Sequence, residues 1–189
     1  MFGKLTVNTG SMYSGKSSEL LRQGERHLLA GHKVVFIKPA IDLRYAKDEI
    51  VTHTGAKVEA IRVRGIDNIA GMAQVVEADV ILIDEVQFFD SWLSIQIMEL
   101  IAKGKHVYCS GLDMDFMGEP FSLTADLMAR ADVVNKFKAV CAGCGADATY
   151  SGKNAKASKR TRIELGAKEL YIPLCRECFN KQKETGQVC

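Results

Sequence analysis

The stretch TGSMYSGKSSELL, residues 9–21, constrains the fold more than any other part of the chain. Gly10, Gly15, Lys16 and Ser17 stand at the fixed positions of G-x-x-x-x-G-K-[ST]. Such a loop wraps phosphates with backbone N–H groups, which requires residues without a bulky Cβ at the closest approaches. Gly10, Ser11, Met12, Tyr13, Ser14, Gly15, Lys16 and Ser17 are therefore the expected nucleotide contacts. Lys16 would reach the β- and γ-phosphates of ATP, and the Ser17 hydroxyl would hold Mg²⁺. The flanks agree: Lys4-Leu5-Thr6-Val7 alternates as a strand does, and Leu20, Leu21, Leu28 and Leu29 pattern a helix that stops at Gly31. The helix N-terminus then points at the phosphates. A glycine- and serine-rich turn that matched by chance would lack this setting. The loop alone does not separate a kinase from an ATP-driven machine.

Further apolar runs predict buried strands at Val34–Ile37, Val58–Val63, Val80–Ile83 and Val107–Cys109. Ile69, Met72, Ala73 and Val76 follow a helical period between them, as do Leu93, Ile97, Leu100 and Ile101 before Gly104, and a short helix is expected over Leu123–Ala131. Alternation of this kind predicts an α/β fold with a parallel sheet covered on both faces, its ligands at the carboxyl ends of the strands. Near Val140 the pattern changes to small residues, lysines and cysteines, so residues 1–139 are expected to form a nucleotide-binding domain and 140–189 a second, smaller unit. At 47% hydrophobic and 25% charged residues the chain has the balance of a soluble globular protein, and no apolar run approaches the ~20 residues of a membrane helix. The opening MFGKLTVNTG enters a strand directly, without a secretory apolar segment, and a cytosolic protein is expected, with no membrane partner.

VILIDEVQFF delivers Asp84 and Glu85 to a strand end. In phosphate-loop proteins an acid here holds Mg²⁺ and a second can act as base. That base could deprotonate water, giving an NTPase, or a substrate hydroxyl, giving a kinase. The segment Asp84, Glu85, Val86 and Gln87 is expected to border the nucleotide, with Gln87 either orienting nucleotide or substrate or capping the strand. His53, in VTHTG, reads as a surface turn.

Cys141-Ala-Gly-Cys144 and Cys175-Arg-Glu-Cys178 form two C-x₂-C pairs with thirty residues between them. Two thiolates on each of two tight turns can close a tetrahedral, structural Zn²⁺ site. The spacer exceeds the ~15–20 residues of a compact zinc ribbon, so a loop must project from the site. Arg176 and Lys138 would temper the charge of four thiolates, Cys109 reads as core, and Cys189 is assigned nothing.

Together these residues resemble the type II thymidine kinases, the zinc-containing class. The likeness rests on GSMYSGKS at 10–17, KPAIDLRY at 38–45, IDEVQFF at 83–89, GLDMDFMGEPF at 111–121 and the two cysteine pairs with ELGAKELY at 164–171 between them. It implies a RecA-like phosphate-loop core, a homotetramer, and transfer of the ATP γ-phosphate to the 5′-hydroxyl of thymidine or deoxyuridine. It also implies feedback inhibition by thymidine triphosphate. Glu85 then corresponds to the base, and Asp42 and Arg44 to residues near the phosphoryl group and its metal. Met12 and Phe116 correspond to walls of the thymine pocket, and Ser151 to a hydroxyl near the substrate. Arg162, Ile163, Glu164, Leu165 and Gly166, with Tyr171, correspond to the lasso that covers the base. Ser11 stands where the family commonly has proline, which leaves the loop less rigid, and Met117 where a basic residue is expected.

The competing reading is a RecA-like ATPase whose zinc ribbon acts on nucleic acid. Residues 136–189 carry 11 Lys/Arg against 5 Asp/Glu, a net +6 that leaves the rest of the chain at −4. A solvated face that offsets thiolate charge is the preferred explanation of this basic segment, the spacer is too long for a compact ribbon, and surface aromatics for base stacking are few. No nucleic-acid partner is therefore expected.

Overall fold

The computed structural model describes residues 2–41, 49–51, 55–65, 67–154 and 170–186. Twelve strands and five α-helices are present among them. The strands are β1 (Leu5–Gly10), β2 (Val34–Pro39), β3 (Glu49–Val51), β4 (Lys57–Glu59), β5 (Ile61–Val63), β6 (Val80–Ile83), β7 (His106–Gly111), β8 (Val133–Phe137), β9 (Ala139–Val140), β10 (Asp147–Ala148), β11 (Tyr150–Lys153) and β12 (Tyr171–Leu174). The helices are α1 (Lys16–Leu29), α2 (Ala73–Glu77), α3 (Trp92–Ala102), α4 (Ser122–Arg130) and α5 (Arg176–Thr185). No helix among the described residues is long and apolar enough to cross a membrane.

Six strands form one sheet in the order β5-β2-β6-β7-β1-β8, and every pairing in it is parallel. Its central strands are apolar on both faces because helices cover both. Ile81 and Ile83 of β6 join a core with Leu93, Ile97 and Leu100 of α3 and Leu123 and Leu127 of α4. Val80 and Leu82, one residue out of step, face the other way and pack with Leu20 and Leu21 of α1 and with Phe36. The expected phosphate-loop α/β core with a parallel sheet is thus present. A third apolar cluster lies at the β1–β8 side, where Ala139, Cys141, Ala148, Leu174, Cys178 and Phe179 are buried together.

Two expected elements differ. The run from Val58 to Val63 is not one strand. β4 pairs antiparallel with β3, whereas β5 joins the main sheet beside β2. The chain changes partner at Ala60, which is buried. The expected helix through Ile69, Met72, Ala73 and Val76 is also interrupted. A 3₁₀ turn covers Ile69–Gly71, and Met72 is extended (φ −68°, ψ 135°) before α2 begins. Gln96 of α3 fixes that turn, accepting from Ala70 N–H and donating to the Asp67 carbonyl, each at 3.2 Å. A tertiary hydrogen-bond pair has outweighed a local helical period.

Gly24, in the middle of α1, has a packing reason. A Cβ there would lie 2.2 Å from Cζ of Phe36, whose ring is buried under the helix. Overfilling a core costs about 1–3 kcal/mol, against the ~1 kcal/mol alanine gains over glycine in a helix interior. Gly24→Ala is therefore expected to lower the melting temperature by a few degrees, where a bare helix-propensity argument predicts a rise. Calorimetry of the two proteins decides.

Three of the four histidines meet at the opposite edge from the phosphate loop. His27 Nδ1 lies 2.9 Å from His32 Nδ1, His27 Nε2 lies 2.9 Å from the Tyr108 hydroxyl, and the His106 ring stacks on His27. Burial first, and then the charges of His32, His106 and Arg26, hold the His27 imidazole below its ordinary value near 6.5. The fold thus favours neutral His27, so the unfolded chain binds more protons as pH falls. Stability present above that ordinary value is lost as pH drops through it toward the lower folded-state value. Denaturation midpoints taken on both sides of this window should fall toward acid in the parent and fall less in His27→Gln.

Candidate active site

The phosphate loop joins β1 to α1. Gly10 has φ 136° and sits so near β8 that a Cβ would lie 2.2 Å from the Phe137 carbonyl oxygen. Gly15, at φ 89°, turns the chain into the first residue of α1. Lys16 is buried and its Nζ donates to the Ser11 carbonyl at 2.6 Å, which keeps the ammonium inside the curve of the loop. The Ser14 hydroxyl donates to the same carbonyl at 2.8 Å.

The crest of the loop is tied to the cysteine-bearing segment. The Ser11 hydroxyl donates to the Ala148 carbonyl at 3.2 Å, and Met12 N–H donates to Ser151 Oγ at 3.0 Å. Tyr13 takes the left-handed conformation, φ 63°, and its ring packs on the third apolar cluster. The Ser11 hydroxyl therefore fastens the loop from outside, a bond that a proline at this position could not make. Ser151 stands against the phosphate loop through Met12, a contact the sequence did not foretell.

At the end of β6, Asp84 is buried and accepts from the Ser17 hydroxyl at 3.2 Å. This places a hydroxyl and a carboxylate side by side. The pair fits a hard divalent cation, which takes oxygen ligands from one or two protein groups and keeps the rest for water and phosphate. Glu85 N–H donates to the same carboxylate at 3.0 Å. Glu85 itself has φ 53°, a conformation that costs a non-glycine residue about 1–3 kcal/mol. The strained turn leads into a 3₁₀ segment, Val86–Phe88, in which Val86 fills the core and the Gln87 amide donates to the Glu85 carboxylate.

GLDMDFMGEPF follows β7. Asp113 is paired with Lys136 of β8 at 2.8 Å. Asp115 Oδ1 accepts from Met117 N–H at 2.8 Å and Glu119 N–H at 3.0 Å, closing a turn with Gly118 at φ 83°. Asp115 and Gly118 stand at the two ends of an Asp-x-x-Gly turn signature. The turn holds Phe116 half-buried with the Lys153 ammonium 3.9 Å from its ring centroid. Tyr171 lies opposite Lys153 in the β11–β12 pair. Met117 is exposed, and its carbonyl accepts from Lys183. Asp42, Arg44, His53, Cys189 and the segment from Arg162 to Gly166 lie outside the described residues.

The four cysteines come together. Their Sγ atoms all lie within 4.8 Å of one another. Cys144 and Cys175 are 3.6 Å apart, too far for a disulfide, and Cys175 caps α5 by accepting from Cys178 N–H at 3.4 Å. Burial opposes ionisation of Cys141, but N–H groups of Cys175, Cys144 and Gly143 aimed at its sulfur prevail and bring the thiol down to about 6. Four sulfurs so closely grouped, with the pairs on separate turns, match the donor set of a tetrahedral metal site. Lys138, expected to temper the thiolates, instead pairs with Asp147 at 2.7 Å. Cys109 is fully buried in the sheet, where burial pushes its thiol up, as a core residue.

Structural Zn²⁺ in finger peptides binds with about 10–16 kcal/mol apparent free energy. Metal analysis of the purified protein is expected to find one Zn²⁺ per chain. Cys175→Ser should lose the metal and become protease-sensitive from residue 140 onward. A metal-free parent protein with unchanged protease resistance would contradict the assignment.

The sequence profile of the thymidine kinase family matches residues 3–179. A thymidine kinase from Pseudothermotoga lettingae is 42% identical over 183 residues, covering 96% of this chain and 97% of that protein. Among solved structures, the flagellar accessory protein FlaH from Methanocaldococcus jannaschii superposes with a TM-score of 0.52 at 14% identity over 71% of each chain, a likeness of fold alone. A phosphate loop, a paired hydroxyl and carboxylate, a second acid on a strained turn and a four-cysteine knot thus occur in a chain that matches this profile almost end to end: the chain belongs to the thymidine kinase family.

Proposed function

We propose that this chain transfers the γ-phosphoryl group of ATP to the 5′-hydroxyl of thymidine, with deoxyuridine as a second acceptor, in deoxynucleoside salvage. The observation that carries the reading is identity of 42% with a thymidine kinase along nearly the whole of both chains. The nucleic-acid alternative has lost part of its motive, because Lys136 of the basic segment is paired with Asp113, an acid outside that segment.

Phosphoryl transfer needs position and charge neutralisation more than covalent chemistry. The backbone N–H groups from Gly10 to Gly15 cradle the phosphates, and Lys16 neutralises charge at the β- and γ-phosphates. Ser17 and Asp84 hold Mg²⁺, which when bound neutralises charge on the phosphate oxygens. The 5′-oxygen bonds to the γ-phosphorus as the bond to the β–γ bridging oxygen breaks, and the hydroxyl proton passes to Glu85. ADP leaves with the bridging oxygen. Asp42 and Arg44 belong near the transferred group. Met12 and Phe116 line the thymine site, under a lid formed by Arg162 to Gly166 with Tyr171. The four cysteines hold a structural Zn²⁺ that anchors this lid at both ends. Residues 140–189 form a unit of their own, supported by the separate apolar cluster around Phe179. A cytoplasmic homotetramer inhibited by thymidine triphosphate completes the proposal on family resemblance.

Two experiments test it. Glu85→Gln keeps the shape but removes the proton acceptor, so kcat is expected to fall by roughly 10²–10⁴ while ATP still binds. ATP turnover against free nucleosides should rank thymidine first and deoxyuridine second, since one methyl in an apolar pocket is worth about 10–200-fold. Deoxycytidine reverses donor and acceptor at two positions of the ring. If buried backbone groups of the lid read those positions, it should be rejected by as much as ~10⁴–10⁵. Turnover that needs polynucleotide and ignores nucleosides would overturn the reading.

A further inference from the structure

We propose that Gln87 is a positioning residue for Glu85, holding one carboxylate oxygen so that the other is presented to the acceptor hydroxyl. The inference rests on the reading of Glu85 as base. The Gln87 side chain is buried and spans two strand ends. Its Oε1 accepts from Leu112 N–H at 3.0 Å, immediately after β7. A backbone N–H can only donate, so this bond settles which way the amide faces. The Nε2 group is thereby turned to Glu85 Oε2 and must donate to it.

The surroundings are shaped for this amide. Gly111 ends β7, and a Cβ there would lie 2.8 Å from Gln87 Oε1 and 2.6 Å from Val86 Cγ2. The Gly111 carbonyl accepts from the Thr9 hydroxyl at 3.1 Å, one residue before the phosphate loop begins at Gly10. The carboxylate is thus referenced, through Gln87, Leu112 and Gly111, to the strand that carries the loop. Glu85 needs such a tie. Its backbone is strained at φ 53°, and its N–H is bound to Asp84, so the amide fixes the side chain of a residue whose main chain is already held.

The bond also suits the chemistry. A carboxylate oxygen that accepts from Nε2 has one lone pair engaged and is made less basic by the bond, so the other oxygen is the better proton acceptor. The proton from the 5′-hydroxyl therefore goes to Oε1, and Oε2, now a carbonyl oxygen, continues to accept. The hydrogen bond persists through the transfer, and no reorganisation accompanies the step.

The test compares Gln87→Met, Gln87→Glu, Glu85→Gln and the double variant Glu85→Gln/Gln87→Met, with kcat, the thymidine KM and the affinity for a non-hydrolysable ATP analogue measured for each. Methionine fills the volume without hydrogen bonds. It should lower kcat by roughly 10–100-fold, the scale of an ångström-sized misplacement, and leave analogue affinity at the parental value. Gln87→Glu preserves shape but sets a second carboxylate against Oε2. Its kcat relative to the parent should rise as pH is lowered, because the pair must then share a proton. This second variant keeps the test alive should methionine disturb packing. In the Glu85→Gln background the Gln87 change should cost nothing further. Parental kcat in Gln87→Met, weakened analogue binding with unchanged kcat, or a loss that persists in the Glu85→Gln background would each overturn the positioning role. Parental turnover in Glu85→Gln alone would instead remove the base reading.

Discussion

β1 is paired in parallel with β7 on one side and β8 on the other, and the whole six-stranded sheet runs in that one direction. Everything chemical in the molecule follows from this. Parallel strands bring their carboxyl ends to one edge, so the phosphate loop after β1, the two acids after β6 and the Gly111–Phe121 segment after β7 emerge side by side. The same pairing demands cover on both faces, which is why β6 is apolar at every position.

The edge so assembled is held by backbone geometry as much as by side chains. Gly10 passes within van der Waals distance of β8, where any Cβ would collide with the Phe137 carbonyl. Tyr13 and Glu85 both take the left-handed conformation, and both are over-determined by their neighbours: Tyr13 by the cluster around Phe179, Glu85 by Asp84 and Gln87. Strain of this kind persists where packing leaves no alternative, and here it falls at the phosphate loop and at the proposed base.

The tie between loop and cysteine knot gives the small cluster a part in the site although none of its thiols touches it. Ser11 and Met12 reach Ala148 and Ser151, which lie on strands beside the knot. Loosening the knot would therefore release one side of the phosphate loop. Two hydrogen bonds and one aromatic ring thus join the cysteine cluster to the phosphate loop.

Local chemistry made much of this legible. G-x-x-x-x-G-K-[ST] requires a strand before it and a helix after it. Paired C-x₂-C turns group thiolates, and acids after an apolar run fall at a strand end, so the core fold, the loop, Asp84 with Glu85 and the cysteine cluster could be read residue by residue. What the sequence could not carry were choices between equivalent local options. The run from Val58 to Val63 is strand-like throughout, and only competition between β3 and β2 for its edges divides it. Ile69 to Val76 has a helical period, and the 3₁₀ turn that interrupts it is held by Gln96 from a distant helix. Gln87 could cap a strand or face a ligand, and only the Leu112 N–H decides which end of its amide meets Glu85. The sequence by itself determined the motifs and the residues proposed for the site, because composition and spacing act over a few residues. The tertiary structure decided which of them hold one another, because hydrogen bonds across tens of residues have no local signature.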